Sequence, residues 1–384
     1  MAKKRDDNQV DSKLKGEKPL SRRDFVATGA SAGIGASVLS MSGSASAQES
    51  PADSIQWDYE ADVVIIGAGC VGLPAAIRAR DLGSSVIVVD QNFDCGGKML
   101  HSGSWISLGG GDPLQLRDIA GESDKEGFVT VPPVHSAEEL SEDPDFLFRD
   151  HTDWSVMDTA AQAPYRYNER DLHRGYADNC FATRQFLLDN YVRMGRISGT
   201  HGNGGMSRAR RAACFLMQGA TTDIKAGTVS AQDAGVAGVH SSHFAPRVMG
   251  DGSDTVGPGA RLNGAALARP LEFSAREKGA QFLLNRHMDE IIREQQFSGR
   301  ALGIKVSHSP RFDPETGAQL QSLWQSGNIE DRSETLFIRA RKAVIIGSGG
   351  HGANPEFRSM FYPAFREPAF VSSGWALLGP RGQD

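Results

Sequence analysis

The chain has 384 residues, of which 39% are hydrophobic and 23% are charged, and this balance predicts a globular protein of about two domains. Its formal net charge of −6 provides no basic surface for nucleic acid, which excludes nucleic-acid binding as a predicted function. The four cysteines are too few and too widely spaced for a disulfide framework, and no cluster of His and Cys residues indicates a metal site.

Residues 1–47 are predicted to be an export signal rather than part of the fold. Residues 21–26 read Ser-Arg-Arg-Asp-Phe-Val, which resembles the twin-arginine export motif. A weakly apolar stretch follows, and residues 45–47 supply the small-residue pattern of a cleavage site. We therefore expect the twin-arginine translocase to export the folded protein to the periplasm or another extracytoplasmic compartment. The alternative is a disordered tail that happens to contain a pair of arginines.

The most informative stretch begins with an apolar, β-branched run at residues 62–66. Glycines follow at Gly67, Gly69 and Gly72 in the order G-x-G-x-x-G, and a helical pattern comes after them. A second β-branched run ends on Asp90, about 20 residues further along the chain. This unit of strand, turn, helix and strand predicts a Rossmann-like site for a dinucleotide.

The residue types in this unit have distinct expected roles. Gly67 permits a sharp turn, Gly69 lets the backbone approach a diphosphate without a Cβ, and Gly72 lets the helix pack closely on the strand. The amino end of the helix offers N–H groups and partial positive charge to the diphosphate. Asp90 is expected to accept hydrogen bonds from a ribose hydroxyl.

Glycine remains frequent beyond this unit. The doublet Gly96 and Gly97 is followed by Lys98 and then by the pair Ser102 and Gly103. Such a run offers N–H and hydroxyl groups to a second phosphate and a flat ring system, which favours FAD over NAD alone. The pattern resembles the two-dinucleotide-binding-domain flavoproteins, in the branch of fumarate reductases and 3-ketosteroid dehydrogenases. That family usually has Ser, Thr or Asn at the position of Lys98.

Later segments extend the resemblance. In this family a backbone group at the position of Met288 contacts the adenine of the cofactor. A further strand-to-glycine junction at residues 344–350 is similar to the family's Ala-Thr-Gly-Gly segment, which lies against the FAD. The resemblance therefore implies that Ser348 and Gly349 also contact the cofactor.

The remaining patterns predict secondary structure only. Residues 112–164 are rich in Asp, Glu and Pro and predict a surface loop or insertion. Residues 171–194 carry apolar side chains at helical spacing and predict one long helix. Residues 302–307 and 335–338 predict a pair of adjacent strands, as in the family.

The segment at residues 196–259 has two open interpretations. It contains the basic run Arg208, Arg210 and Arg211, and further cationic or titratable residues at His201, His240, His243 and Arg247. A basic cluster beside histidines could bind a dicarboxylate substrate, whereas the alternative for each residue is a solvated face or loop. The position of the segment between two FAD-binding parts resembles that of the family's capping domain.

The expected fold is α/β. A Rossmann-like FAD-binding domain, with a parallel sheet, helices and a β-hairpin or meander, is interrupted by an α+β capping domain. After the signal, residues 48–150 are predicted to form the first part of the FAD-binding domain. Residues 151–259 are predicted to form the capping or substrate domain, and residues 260–384 the second, incomplete part of the FAD-binding domain.

The resemblance implies an FAD-dependent oxidoreductase that transfers hydride between flavin and a small organic substrate, as a fumarate reductase or ketosteroid dehydrogenase does. A redox partner would supply or accept electrons. In this family the substrate-binding residues follow the segment equivalent to 344–350, so no catalytic residue is assigned and we expect a truncated or partial sequence. An FAD-binding fragment without catalysis and an NAD-only dehydrogenase are the alternatives.

Overall fold

The computed structural model describes the greater part of the chain. The described residues are 55–103, 105–122, 131–155, 170–198, 207–230, 260–261, 264–295, 297–310, 312, 315–317, 331–350 and 360. The predicted export signal lies outside them, as do His201, His240, His243 and Arg247. Among the helices of this part, none is long and apolar enough to cross a membrane.

The described residues form strands and helices that we number in chain order. The strands are β1 (Tyr59–Ile66), β2 (Val86–Val89), β3 (Trp105–Ser107), β4 (Arg193–Met194), β5 (Arg211–Gly219), β6 (Thr228–Ser230), β7 (Ala260–Arg261), β8 (Gln281–Leu283), β9 (Arg286–Gln295), β10 (Ser298–His308) and β11 (Asp331–Ile346). The helices are α1 (Gly72–Asp81), α2 (Pro113–Ile119), α3 (Ala137–Leu140), α4 (Pro144–Ser155), α5 (Arg170–Asp189) and α6 (Ala265–Glu277), with a 3-10 helix at Gly97–His101.

One six-stranded sheet has the order β8-β2-β1-β11-β10-β9. The strands β8, β2, β1 and β11 are parallel, while β11, β10 and β9 form an antiparallel meander. This confirms the predicted parallel sheet with an added hairpin. Ile66, the last residue of β1, pairs with Val89 of β2 and with Ile346 of β11. Three strands therefore end side by side.

The strand β11 is longer than the sequence predicts. Instead of separate strands at residues 335–338 and 344–346, one strand of 16 residues covers both. Its first half pairs with β10, as predicted, and its second half pairs with β1. The polar residues between the two predicted strands fit into it because Arg339 and Arg341 are exposed and form ion pairs with Glu60.

The core explains why β1 and β2 are continuous apolar runs. Val63 and Ile65 pack against α1 and α6 on one face of the sheet. Val64 and Ile66 pack on the opposite face, with Ile304 of β10. A strand buried on both faces has no alternation of polar and apolar residues, and each fully buried Val or Ile contributes roughly 1.5–3 kcal/mol.

A second, five-stranded sheet is built around β5, which pairs with β3, β4, β6 and β7. The predicted helix at residues 171–194 is wrong at its end, because α5 stops at Asp189 and β4 begins at Arg193. Tyr191 has a φ of 68° between them, in the left-handed region, and this breaks the helix. The predicted boundary at residue 150 falls within α4, and the domain division stays a prediction.

The predicted surface loop at residues 112–164 is wrong for the residues that the structure describes. The helices α2, α3 and α4 occupy this segment, and Asp112 and Gln115 are fully buried. Asp112 caps α2 in a capping box with Gln115, and Ser136 caps α3 in a second box with Glu139. The polar residues that suggest a loop therefore begin helices, because they satisfy N–H groups of the first turn.

Buried ion pairs join these helices to α5 and to the residue before β5. Arg184 Nη2 lies 2.9 Å from Asp112 Oδ2, and both side chains are fully buried. Arg210 Nη2 lies 2.7 Å from Glu142 Oε2, and Arg210 Nη1 lies 2.7 Å from Asp150 Oδ2. Arg210 lies in the irregular segment before β5, as the loop alternative expects, but its side chain is buried and acidic side chains neutralise its charge. Such partners are required because an unpaired charge in the interior is costly.

Candidate functional site

A cavity of about 310 Å³ opens at the carboxyl ends of β1, β2 and β11. Ligands of open parallel α/β sheets bind in this position, outside the carboxyl ends of the strands. Eight of the predicted cofactor-binding residues line it: Gly67, Gly69, Asp90, Gly97, Lys98, Met288, Ser348 and Gly349. The structure thus brings together glycine turns that lie far apart in the sequence.

Gly67 turns the chain out of β1 with a φ of 94°, in the left-handed region. A Cβ at Gly67 would lie 2.3 Å from the carbonyl oxygen of Gly347, so only glycine lets β1 and β11 end side by side. The Gly67 N–H donates to the Val89 carbonyl at 2.7 Å, and the Gly347 N–H donates to the Ile66 carbonyl at 2.7 Å. These bonds hold the ends of β1, β2 and β11 together.

Gly69 faces open space next to the start of α1. A Cβ built there would have no atom within 4 Å, so packing does not require this glycine. Val71 at the N-cap of α1 provides no side-chain hydrogen bond. The Leu73 N–H donates to the Gly69 carbonyl at 3.0 Å and Pro74 has no N–H, so the amino end of α1 offers a diphosphate mainly its partial positive charge.

Lys98 adds a cationic group to the cavity. Burial lowers the pKa of its ammonium group, although the side chain remains exposed overall. A Cβ on the neighbouring Gly97 would lie 3.6 Å from the Cα of Gly69, so the two glycine loops face each other at contact distance. The loops, the uncapped helix and the cation fit a diphosphate because each offers it a donor or a positive charge.

Asp90 lies at the end of β2 and is 7% exposed. Its Oδ2 accepts the N–H of Ala68 at 2.7 Å, and its Oδ1 accepts the N–H of Asn92 at 2.8 Å. Burial raises the pKa of Asp90 to about 6, although both hydrogen bonds favour the ionised form. A carboxylate oxygen can accept more than one donor, and the ribose contact of Asp90 stays a prediction.

Gly72 and Gly96 do not line the cavity and instead allow close packing around it. A Cβ at Gly72 would lie 1.7 Å from the carbonyl oxygen of Gly67. A Cβ at Gly96 would lie 2.8 Å from Leu100 Cγ, and the φ of Gly96 is 115°. Both glycines therefore shape the loops without facing the cavity.

Ser102 and Gly103 are also outside the cavity lining. The 3-10 helix carries the chain away from the cavity after Lys98, and Ser102 follows its last residue. The Ser102 hydroxyl donates to the Met99 carbonyl at 2.8 Å. The structure therefore does not bring this predicted pair together with the other cofactor-binding residues.

Among the cavity residues that were not predicted as cofactor-binding, Arg286 and His287 carry basic side chains. Arg286 and His287 begin β9 directly after Asn285, whose φ is 55°. Arg286 forms an ion pair with Glu334 at 3.0 Å, and His287 Nδ1 lies 3.0 Å from Asp289. The available signal was the Asn-Arg-His sequence directly after the apolar residues of β8, because residues at strand ends of a parallel sheet face the ligand crevice.

The cysteines and acids of the described residues form no metal site. No group of three or more His, Cys, Asp or Glu side chains in these residues is arranged to hold an ion. Cys95, Cys180 and Cys214 are buried, and burial raises the pKa of each thiol. Cys70 is exposed and lines the cavity.

Replacing Asp90 with Asn is expected to remove a pH dependence of stability. The pKa of Asp90 is about 6 in the folded chain and 3.8 ordinarily, so between these values only the folded chain holds the proton. Asp90 therefore stabilises the fold at low pH, and this contribution is lost as the pH rises through about 6. The loss is roughly 3 kcal/mol between about pH 4 and about pH 7.

Urea unfolding of the wild type and of D90N across this pH range checks the expectation. The free energy of unfolding of the wild type should fall relative to that of D90N as the pH rises. A difference between the two proteins that stays constant with pH would contradict it.

Comparison with known proteins shows the family. Residues 62–126 and 140–372 match the family model described as FAD binding domain. The 3-oxosteroid 1-dehydrogenase of Mycolicibacterium smegmatis is 24% identical over 318 residues, which are 79% of this chain and 49% of that protein. The digoxin reductase of Eggerthella lenta is 37% identical over 110 residues, which are 23% of this chain and 20% of that protein.

A solved structure is also similar. The 3-ketosteroid-Δ4-(5α)-dehydrogenase from Rhodococcus jostii RHA1, in complex with 4-androstene-3,17-dione, has a TM-score of 0.48 and 18% sequence identity. The similarity covers 82% of this chain and 51% of that one. This chain spans about half the length, or less, of the curated relatives it matches. Because the family model matches well over half of its residues, the chain belongs to the family of FAD-binding domains, and its cofactor is FAD.

Proposed function

We propose that this chain is the FAD-binding part of an oxidoreductase that moves hydride between flavin and a small organic substrate. The observation that carries the proposal is the convergence of three glycine turns, after β1, β2 and β11, on one cavity beside the start of α1. FAD, when bound, supplies the redox chemistry, and the chain supplies binding, orientation and electrostatics.

Different residues around the cavity would bind different parts of FAD. Gly69 and the first turn of α1 would receive the diphosphate, and Lys98 would balance part of its charge. The residues that the family resemblance assigns to the rest of the cofactor are Asp90, Met288, Ser348 and Gly349, and they line the same cavity. No described residue is assigned a catalytic role.

The proposed substrate is a 3-oxosteroid-like compound. Support comes from the relative that aligns over 79% of this chain, which is named 3-oxosteroid 1-dehydrogenase. The basic run that could have bound a dicarboxylate is already engaged within the fold. Arg210 is paired with two acids, and Arg208 and Arg211 each lie 4.6 Å from the centre of an aromatic ring. A fumarate-like dicarboxylate is the alternative substrate class.

The proposal extends to location and to a redox partner. Support for export comes from the twin-arginine pattern at residues 21–26 and the cleavage pattern at residues 45–47, both outside the described residues. The twin-arginine route exports folded proteins, which suits a chain that acquires FAD before export. A flavin that is reduced by one partner must be reoxidised by another, so a second electron donor or acceptor is required.

Replacing Gly69 with Ala is expected to weaken FAD binding and leave the fold intact. The added Cβ would meet no atom within 4 Å and would project into the space in front of α1. We expect the dissociation constant for FAD to rise about tenfold or more, as for the loss of a hydrogen bond to a charged group. Quenching of FAD fluorescence measures the affinity, and urea unfolding measures the stability.

The matched control is Gly72→Ala in the same turn. Its Cβ would lie 1.7 Å from the Gly67 carbonyl oxygen, so G72A should lower the urea midpoint, whereas G69A should not. Equal FAD affinity of G69A and the wild type would contradict the assignment of Gly69 to the diphosphate.

The substrate proposal is tested with the full chain loaded with FAD. The flavin is reduced anaerobically with dithionite, excess reductant is removed, and the visible flavin band is followed after addition of a 3-oxo-1,4-diene steroid, whose conjugated C=C bonds can accept hydride, or of fumarate. We expect the steroid to reoxidise the flavin and fumarate to leave it reduced. Reoxidation by fumarate alone would select the dicarboxylate class. Reoxidation by neither, with FAD bound, would favour an FAD-binding fragment without catalysis.

A further inference from the structure

The peptide groups of Ala68 join three segments of the cofactor site. The Ala68 N–H donates to Asp90 Oδ2 at 2.7 Å, across 22 residues of sequence. The Ala68 carbonyl accepts the N–H of Gly96 at 2.8 Å. One residue of the first glycine turn is thus bonded both to the acid at the end of β2 and to the second glycine loop.

The other oxygen of the Asp90 carboxylate is also engaged by the backbone. It accepts the N–H of Asn92, two residues further along the chain, at 2.8 Å. Ala68 is fully buried, Asp90 is 7% exposed and Asn92 is 5% exposed. Water has little access to a carboxylate in this setting, and a buried polar group must find its hydrogen-bond partners within the protein. The two N–H groups meet that requirement for Asp90.

We propose that Asp90 is a positioning residue whose carboxylate fixes the shape of the cofactor loops before FAD binds. We name the carboxylate and the N–H groups of Ala68 and Asn92 the Asp90 latch. The latch would hold the turn at Gly67–Gly69 against β2 and, through the Ala68 carbonyl, hold Gly96 beside it. This role differs from the ribose contact predicted for the same residue, since it needs no ligand.

The physical basis is preorganisation. Hydrogen bonds from N–H groups to an ionised carboxylate are about twice as strong as those between neutral groups. A loop already held in its bound shape loses less conformational entropy when the ligand arrives, so the affinity is higher. The Gly67 N–H bond to the Val89 carbonyl fixes one end of the turn, and the latch fixes the next residue.

The length of the side chain separates the latch from a simple ribose contact. A ribose can be bound by Asp or Glu at this position, because either carboxylate reaches a hydroxyl in the open cavity. The latch requires Asp, since the extra methylene of Glu would push the carboxylate past the two backbone donors in a buried site. Asp90→Glu should therefore speed hydrogen exchange in the cofactor loop and weaken FAD binding, as Asp90→Ala does.

The inference rests on the proposed function for the identity of the ligand, but the latch itself belongs to the chain without nucleotide. The experiment therefore compares hydrogen exchange in the full chain after removal of nucleotide, in the peptide that contains Gly67–Gly72. Wild type, D90A, D90E and D90N are compared with the control D62N. Asp62, in β1, also has a carboxylate that accepts a backbone N–H, that of Ser85 at 2.9 Å, but it does not line the cavity.

We expect exchange in this peptide to become about tenfold faster or more in D90A and D90E, and to stay unchanged in D62N. D90N keeps one carbonyl oxygen and should show an intermediate rate. The FAD dissociation constant should rise in the same order. If D90A fails to fold, by circular dichroism, the comparison of D90N and D90E with D62N decides the outcome.

Unchanged exchange in D90A and D90E would overturn the latch, even if their FAD affinity falls, because a pure ribose ligand gives that result. Retention of wild-type affinity by D90E would overturn it as well. If the wild type itself binds no FAD, the proposed function fails, whereas the exchange comparison in the nucleotide-free chain still decides on the latch.

Discussion

The contact between the turns that follow β1 and β11 sets the position of everything around the cavity. A Cβ on Gly67 would lie only 2.3 Å from the carbonyl oxygen of Gly347, so the two strands can end together only with glycine at position 67. β1 and β11 then end at the same level of the sheet, beside Val89, the last residue of β2. α1 starts directly after the turn at Gly67–Gly69, and its amino end carries the partial positive charge that attracts an anion.

The second sheet depends on a different kind of interaction. Arg184 and Arg210 bring positive charge into the interior, and each is matched by acids that come from α2, α4 or the segment before α4. Breaking such a pair leaves one charge buried and costs about 3–5 kcal/mol, so the pairs hold the start of α2 against α5, and α4 with the segment before it against Arg210. The glycine turns and the ion pairs thus order two neighbouring regions by unrelated means, one by close backbone approach and the other by charge neutralisation.

The cofactor loops could be predicted from the sequence because their geometry depends on neighbours along the chain. Gly67 and Asp90 each follow a β-branched run, and both line the same cavity. The burial of Asp112 could not be predicted, since its partner Arg184 is 72 residues away and no local pattern records the pair. Ser102 was expected in the site because it lies in a glycine-rich run and matches the family pattern, and no local pattern indicated the intervening 3-10 helix.

The central claim is that this cavity holds the diphosphate of FAD. The most direct measurement is to purify the full chain, denature it, and identify and quantify the nucleotide that is released by chromatography and mass spectrometry. The account predicts FAD in an amount equimolar with the chain, or equimolar uptake of added FAD by a nucleotide-free preparation. Release of NAD or NADP, or saturable binding of these in preference to FAD, would contradict it.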